Sequence, residues 1–284
     1  MVKAIFLDID GTLRDERRGV PESASRAIRM CREAGIRIVI CTGRNMASIQ
    51  PDVKTMETDA VIAGGGCLIL DRGRIQENSY FQYEEMRKML EYLTWKAVPY
   101  ALENQERIFM NQAACLWFQT DFEAKLTGLG PLEKERQRKA NGICYEDTMG
   151  EYRPERDRIH KICIWSPPED SDGITALAER TGTIVQQGER DGWWYLEILP
   201  PGCTKGAAVR TWCGLKDIDP ADTISFGDGK NDIDMLMATG TGVAMADGDE
   251  ELKACADCVC EAAVEDGIYR ELVRQKVIAV NIQN

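Results

Sequence analysis

Two carboxylates spaced two residues apart, Asp8 and Asp10, close a run of four apolar residues, Ala4 to Leu7, and Gly11 follows at once. Residues i and i+2 of an extended chain share a face, so this spacing aims both carboxylates the same way if the strand persists. Like charges that close repel unless a cation lies between them. Three more polar groups follow expected strands or open expected helices: Thr42-Gly43-Arg44, Lys205, and the set Asp228, Asn231 and Asp232. Asp8, Asp10 and Asp228 offer oxygen ligands to a hard cation, and a few carboxylates completed by water and phosphate suit Mg²⁺. Thr42 offers a hydroxyl and Gly43 an unshielded backbone N–H beside a helix start, which makes a phosphate cradle. Lys205 brings a flexible point charge for a phosphoryl oxygen. Together these groups suit phosphoryl transfer, where positioning and charge stabilisation supply most of the catalysis. One carboxylate can act as nucleophile and form an aspartyl-phosphate. The other, two residues on, can give a proton to the leaving oxygen and later take one from water.

The elements that must position these groups follow from apolar patterning. Ala4 to Leu7 reads as a strand buried on both faces. A helix over Pro21–Ala34 stopped by Gly35, a strand over Ile36–Cys41, a helix starting near Asn45 and a strand over Asp59–Ala63 come next. A hairpin follows, Cys67–Leu70 and Arg74–Gln76, turned at Asp71-Arg72-Gly73. This alternation predicts a doubly wound, Rossmann-like α/β core with a parallel sheet, in which ligands collect outside the carboxyl ends of the strands. From about residue 81 the pattern changes. A helix over Tyr83–Lys96 and strands over Tyr100–Glu103, Arg107–Met110, Ile159–Trp165 and Thr183–Gln187 mix without alternation, and the charge run Glu133–Lys139 reads as a solvated helical face. Residues 81–190 are therefore expected to form an inserted α+β cap, with 1–80 and 191–284 forming the core and Trp193–Leu199, also read as a strand, returning the chain to it. Alternation resumes with a helix over Lys205–Trp212, a strand over Asp222–Phe226 and a helix over Asn231–Ala238.

Composition narrows the function. The chain has 284 residues, 44% of them hydrophobic, which supports a sizeable core. A formal net charge of -12 disfavours nucleic-acid and anionic-membrane partners. No apolar run is long enough to span a membrane. Eleven cysteines, scattered through apolar segments with no signal peptide ahead of them, read as reduced thiols of a cytoplasmic protein. Cys255, Cys258 and Cys260 lack a second ligand pair that would close a metal site. His160 is the single histidine, which excludes a His-rich metal centre and a two-histidine phosphatase. Each candidate also has a plain structural reading. Thr42-Gly43 could be a helix cap, Lys205 a surface lysine, Asp228 and Asp232 turn residues, Arg44 a structural residue, and Trp193-Trp194 packing. The weight rests on the order in which the signals occur.

That order resembles the haloacid dehalogenase-like hydrolases, specifically the Cof-type phosphatases. Asp8-Ile9-Asp10-Gly11-Thr12-Leu13 is similar to their first motif, Thr42-Gly43-Arg44 to the second, Lys205 in Gly202-Cys203-Thr204-Lys205-Gly206 to the third, and Gly227-Asp228-Gly229-Lys230-Asn231-Asp232 to the fourth. The resemblance implies that Asp8 is the nucleophile and Asp10 the acid/base. Mg²⁺ would bind the Asp8 carboxylate, the Asp10 main-chain carbonyl and Asp228, with Asp232 behind them. Phosphate would meet Thr42, Gly43, Lys205, Asn231 and the backbone N–H of Ile9. Where many relatives carry Asn-Gly after the third strand, this chain has Gly64-Gly65-Gly66. The expected activity is hydrolysis of a small phosphorylated metabolite, such as a sugar phosphate or pyridoxal phosphate, by a monomer or weak homodimer. A phosphomutase using the same intermediate, or a non-catalytic phosphometabolite-binding protein, are the alternatives. A dehalogenase would leave Asp10 and the metal set superfluous.

Overall fold

Ala4–Leu7 is a strand with all four side chains buried, because its alternate residues serve two cores. Ile5 and Leu7 pack with Ile38, Ile40, Ile224 and Ile268 on one side of the sheet. Ala4 and Phe6 pack with Val39, Ile62 and Trp212 on the other, where the Phe6 and Trp212 rings meet edge to face at 5.5 Å. This is why the run shows no polar alternation.

The computed structural model describes residues 1–15, 17–134, 149–190 and 192–279. The chain divides into two units, one of Met1–Ser79 with Gly202–Asn284 and one of Tyr80–Pro201. The strands are β1 Ala4–Leu7, β2 Arg37–Cys41, β3 Ala60–Ala63, β4 Leu68–Asp71, β5 Arg74–Asn78, β6 Tyr100–Glu103, β7 Ile108–Met110, β8 Lys161–Ser166, β9 Thr183–Arg190, β10 Trp193–Leu199, β11 Thr223–Gly227, β12 Thr241–Met245 and β13 Cys258–Cys260. The helices are α1 Glu22–Glu33, α2 Pro51–Lys54, α3 Tyr83–Trp95, α4 Gln112–Lys125, α5 Ser171–Thr181, α6 Lys205–Lys216, α7 Ile233–Met237, α8 Glu250–Cys255 and α9 Gly267–Arg274.

In the first unit the sheet order is β13-β12-β11-β1-β2-β3-β4-β5. The pairs from β13 to β3 are parallel, and the β4–β5 hairpin extends that edge antiparallel. Arg72 and Gly73 both have positive φ, as a two-residue hairpin turn requires. From β1 the chain builds outward first to β2 and β3, then to β11 and beyond on the other side. The carboxyl ends of β1 and β11 therefore flank the point where strand order reverses, which is where open α/β sheets hold ligands.

The expected helix near Asn45 does not form. Asn45 Oδ1 accepts from the Ser48 backbone N–H at 2.9 Å, a local bond that competes with helix. The helical segment is the four-residue α2, opened by Pro51.

The second unit is a five-stranded sheet in the order β7-β6-β8-β10-β9, with every pair antiparallel. Helices α3 and α5 cover one face through Met86, Met89, Leu93, Ile174 and Ala178, against Ile162, Ile164, Leu196 and Ile198. Trp193–Leu199 is a correction: it does not return the chain to the core but forms β10, paired with β8 from Trp194 to Ile198 and with β9 over its whole length. Leu196 and Ile198 belong to this unit's apolar cluster, so the strand cannot leave without opening it. Helix α4 carries no apolar stripe in its sequence. Its Ala114 and Cys115 nevertheless pack beside Ala101, Met110 and Cys163. The charge run lies outside the described residues beyond Lys134. No helix among the described residues is long and apolar enough to cross a membrane.

Candidate active site

Strand register sets the frame. Leu7 pairs with Phe226 on one side and Ile40 on the other. Asp8 N–H donates to the Phe226 carbonyl at 3.1 Å, and Thr42 N–H to the Ile62 carbonyl at 2.8 Å. Asp8, Thr42 and Asp228 thus leave three parallel strands along one edge, within the first unit.

Lys205 enters that edge from the first turn of α6, capped by Thr204, whose Oγ1 accepts from Ala207 N–H at 3.1 Å. Its ammonium donates to Asp8 Oδ1 and to Asp232 Oδ1, each at 2.6 Å, and is 2% exposed. A cation at a helix N-terminus opposes the helix dipole, so the two carboxylates must outweigh both dipole and burial. Burial works against the ammonium's charge, yet Asp232 and Asp8 hold it well above the ordinary lysine range. The other oxygen of Asp232 accepts from the backbone N–H groups of Asp228 and Gly229, at 3.2 and 3.0 Å. Asp232 is therefore a buried strut that aims Lys205 and braces the Asp228 loop.

The two carboxylates of the first motif do not point the same way. Strand β1 ends at Leu7, and tight turns follow: Arg14 N–H bonds the Ile9 carbonyl at 2.8 Å, and Gly11 has φ +81°. With the extended form gone, Asp8 faces Lys205, while Asp10 turns to Arg44 and Gln50. Arg44 Nε and Nη2 donate to Asp10 Oδ2 and Oδ1 at 2.5 and 3.0 Å, and Gln50 Nε2 donates to Oδ1 at 2.9 Å. Like charges are kept apart by giving each its own cation.

Five further residues shape the edge through contacts that their spacing does not show. Thr12 Oγ1 donates to Asp228 Oδ1 at 2.9 Å. A side chain on Gly11 would stand 2.2 Å from Asp228 Oδ2, so only glycine lets the first and fourth motifs close on one another. Gly66, at φ +111°, approaches the Thr204 carbonyl so closely that a Cβ would lie 2.2 Å from it. Gly64 and Gly65 N–H groups donate to the Arg44 and Thr42 carbonyls at 2.8 and 2.9 Å. The glycine run is a backbone splint between the second and third motifs, a role spacing alone does not reveal. Thr42 is buried and its Oγ1 accepts from Arg44 N–H at 3.1 Å. A Cβ on Gly43 would meet the Asn231 amide at 3.5 Å, so these two phosphate-site candidates are neighbours. Ile9 is fully buried between the two aspartates.

The donor set fits a divalent cation. Asp8, Asp228 and Asp232 bring carboxylate oxygens within 4.8 Å of one another, against the single ammonium of Lys205. Burial and the neighbouring Asp232 push Asp228 up to about 7. Burial, with Asp232 and Asp228 adding to it, also raises Asp8 against the pull of Lys205. A surplus of buried negative charge is what a bound cation would neutralise, and all-oxygen donors suit Mg²⁺. The Asp10 carboxylate stands outside this trio. Among the described residues, the described cysteines are all free thiols, and Cys255, Cys258 and Cys260 form no metal-holding group.

Residues 5–272 match the haloacid dehalogenase-like hydrolase family. The chain belongs to that family. Curated relatives of this hydrolase include the pyridoxal phosphate phosphatase YbhA of Escherichia coli, 23% identical, with 94% of this chain and 96% of that one covered. The 5-amino-6-(5-phospho-D-ribitylamino)uracil phosphatase YwtE of Bacillus subtilis is 22% identical over 94% of this chain and 96% of its own. Among solved structures, the phosphatase BT1666 from Bacteroides thetaiotaomicron superposes with a TM-score of 0.79 at 24% identity, covering 98% of this hydrolase and 96% of that chain, and so shares its fold.

Proposed function

We propose that this hydrolase is a Mg²⁺-dependent phosphatase that cleaves a small phosphorylated metabolite through an aspartyl-phosphate on Asp8. The observation that carries this reading is the buried Asp8–Lys205–Asp232 chain, with Asp228 alongside. Lys205 pulls toward the anionic, nucleophilic form of Asp8 against the burial and the neighbouring carboxylates that oppose it, and offers its charge to a phosphoryl oxygen as negative charge builds. Thr42, Gly43, Asn231 and the Ile9 backbone N–H orient the remaining phosphoryl oxygens. Asp10 protonates the leaving oxygen and then takes a proton from the water that hydrolyses the intermediate. Asp8, Asp228 and the Asp10 main-chain carbonyl would hold Mg²⁺, with Asp232 supporting from behind. When bound, the ion supplies positive charge that lets an anionic nucleophile approach an anionic phosphoryl group.

The assigned groups address only the phosphoryl group and the attacking atoms, which all phosphate esters share. Discrimination among leaving groups is therefore proposed to reside in the inserted unit, Tyr80–Pro201. The relatives' substrates make pyridoxal phosphate and a phosphorylated ribityl compound the first to try. The deciding test is phosphate release from a panel of sugar phosphates, pyridoxal phosphate, flavin mononucleotide and nucleotides with and without Mg²⁺. Release that needs Mg²⁺ supports the reading. An isomeric phosphate with no free phosphate would make the protein a mutase, and no turnover of any ester would favour a binding protein.

A further inference from the structure

We propose that Arg44 and Gln50 form a clamp that positions the Asp10 carboxylate for proton transfer, an inference that rests on the acid/base reading of Asp10. Three N–H groups reach its two oxygens: Arg44 Nε on Oδ2, and Arg44 Nη2 with Gln50 Nε2 on Oδ1. A two-point guanidinium contact fixes the plane of a carboxylate as well as its place. The third donor, from a different segment, removes the remaining rotation.

The clamp is itself anchored. Arg44 Nη1 donates to the Ser48 carbonyl at 2.9 Å, its backbone N–H to Thr42 Oγ1, and its carbonyl accepts from Gly64. The arginine is thus tied to the end of β2 and to the glycine run, unlike a surface residue whose ion pair is incidental.

Gln50 supplies the more telling observation. It stands at the position preceding α2, where a side chain ordinarily caps the helix, yet it makes no capping bond. Its amide oxygen is buried with no hydrogen-bond partner, while its amide nitrogen is on Asp10. Turning the amide over would set an oxygen against the Asp10 carboxylate. The side chain tolerates a buried orphan oxygen to keep its amide N–H on Asp10, and an orphan of that kind is unfavourable unless the other end is well used.

The test is a set of double-mutant cycles on p-nitrophenyl phosphate and on the best-hydrolysed alkyl phosphate of the panel above. Gln50→Ala and Arg44→Lys are each made alone and with Asp10→Asn. If the clamp acts through Asp10, each single change lowers kcat on the alkyl ester about tenfold, with KM within about twofold, because misplacing a proton donor slows only the step that needs it. In kcat/KM, which reports only up to transfer onto Asp8, the loss is smaller on the aryl ester, whose leaving oxygen needs no proton, and it disappears in the Asp10→Asn background. Equal losses with and without Asp10, or equal kcat/KM losses on both esters, would overturn the clamp. So would a rise in KM alone for Arg44→Lys, which would make Arg44 a substrate contact. If Asp10→Asn itself leaves alkyl turnover intact, the acid/base reading fails, and that result is distinguishable because it needs neither clamp variant. Gln50→Ala removes no charge, so it keeps the test open should Arg44→Lys fail to fold.

Discussion

The Lys205 ammonium lies 2.6 Å from the Asp8 carboxylate although the two residues are 197 apart in the chain. Their contact closes the first motif onto the third and buries both charges. Removing one partner of such a pair strands the other in a dry site. Lys205→Met leaves Asp8 and Asp232 without their cation and is expected to destabilise the first unit by about 3–5 kcal/mol, as well as abolishing turnover. Urea unfolding of Lys205→Met, and of Lys205→Met with Asp232→Asn, checks this: the second change should recover part of the loss. An unchanged midpoint for the single variant would show that the pair is not buried in solution.

Asp8→Asn is nearly isosteric and its amide oxygen can still accept from Lys205, so the fold should persist. The amide is a poor nucleophile, and turnover is expected to fall by about 10³-fold or more. A folded, pure Asp8→Asn protein that releases phosphate at the normal rate removes Asp8 from the nucleophile's role.

On the proposed reading, Mg²⁺ neutralises the surplus negative charge of Asp8, Asp228 and Asp232 and binds only the folded chain. Saturating Mg²⁺ should raise stability by about 1–3 kcal/mol, readable as a rise in Tm. Asp228→Asn should abolish most of that rise. Activity should be lost on chelation and restored by Mg²⁺ better than by Ca²⁺, whose longer bonds and higher ligand count suit a different geometry. Full activity after exhaustive chelation contradicts the metal reading.

Gly66 is needed for space as well as for its φ of +111°. Gly66→Ala places a Cβ against the Thr204 carbonyl, next to Lys205, and the unfavourable backbone conformation alone is worth about 1–2 kcal/mol. The expectation is a destabilised protein with reduced kcat. Gly73→Ala also falls at positive φ, but with nothing within 4 Å, and should cost stability without touching turnover. Comparable kcat losses for both would argue against the splint.

His160 in the second unit is buried, and burial lowers its imidazole from 6.5 to about 4. The unfolded chain therefore binds a proton that the folded chain refuses between those values. Stability contributed by the neutral ring is fully present above about pH 6.5 and is lost as pH falls toward about 4, by on the order of 3 kcal/mol in all. The slope of unfolding free energy against pH in this window should flatten in His160→Gln. An identical slope in wild type and variant would mean that the imidazole protonates freely in the folded state.

Local patterning in the chain by itself determined the buried strand β1, the hairpin turned at Arg72 and Gly73, and which polar residues stand at strand ends, because side-chain periodicity and backbone sterics act over a few residues. It also supplied the candidate groups of the proposed phosphoryl-ester site. Only tertiary structure decided how those groups are partnered. The shared face expected of Asp8 and Asp10 was lost because the chain turns immediately after Leu7, and each aspartate then took a different cation, Lys205 or Arg44. Thr12, Gln50 and Gly64-Gly65-Gly66 act through contacts with segments distant in sequence or through backbone approach, and neither leaves a periodic signal. Strand β10 reads as a strand from its residues alone, but which sheet it joins depends on its neighbours, β8 and β9, and on the apolar cluster that Leu196 and Ile198 complete. Hydrogen-bond and ion-pair choice among several possible partners is a through-space competition, and it is resolved only when the sheet register brings those partners to one edge.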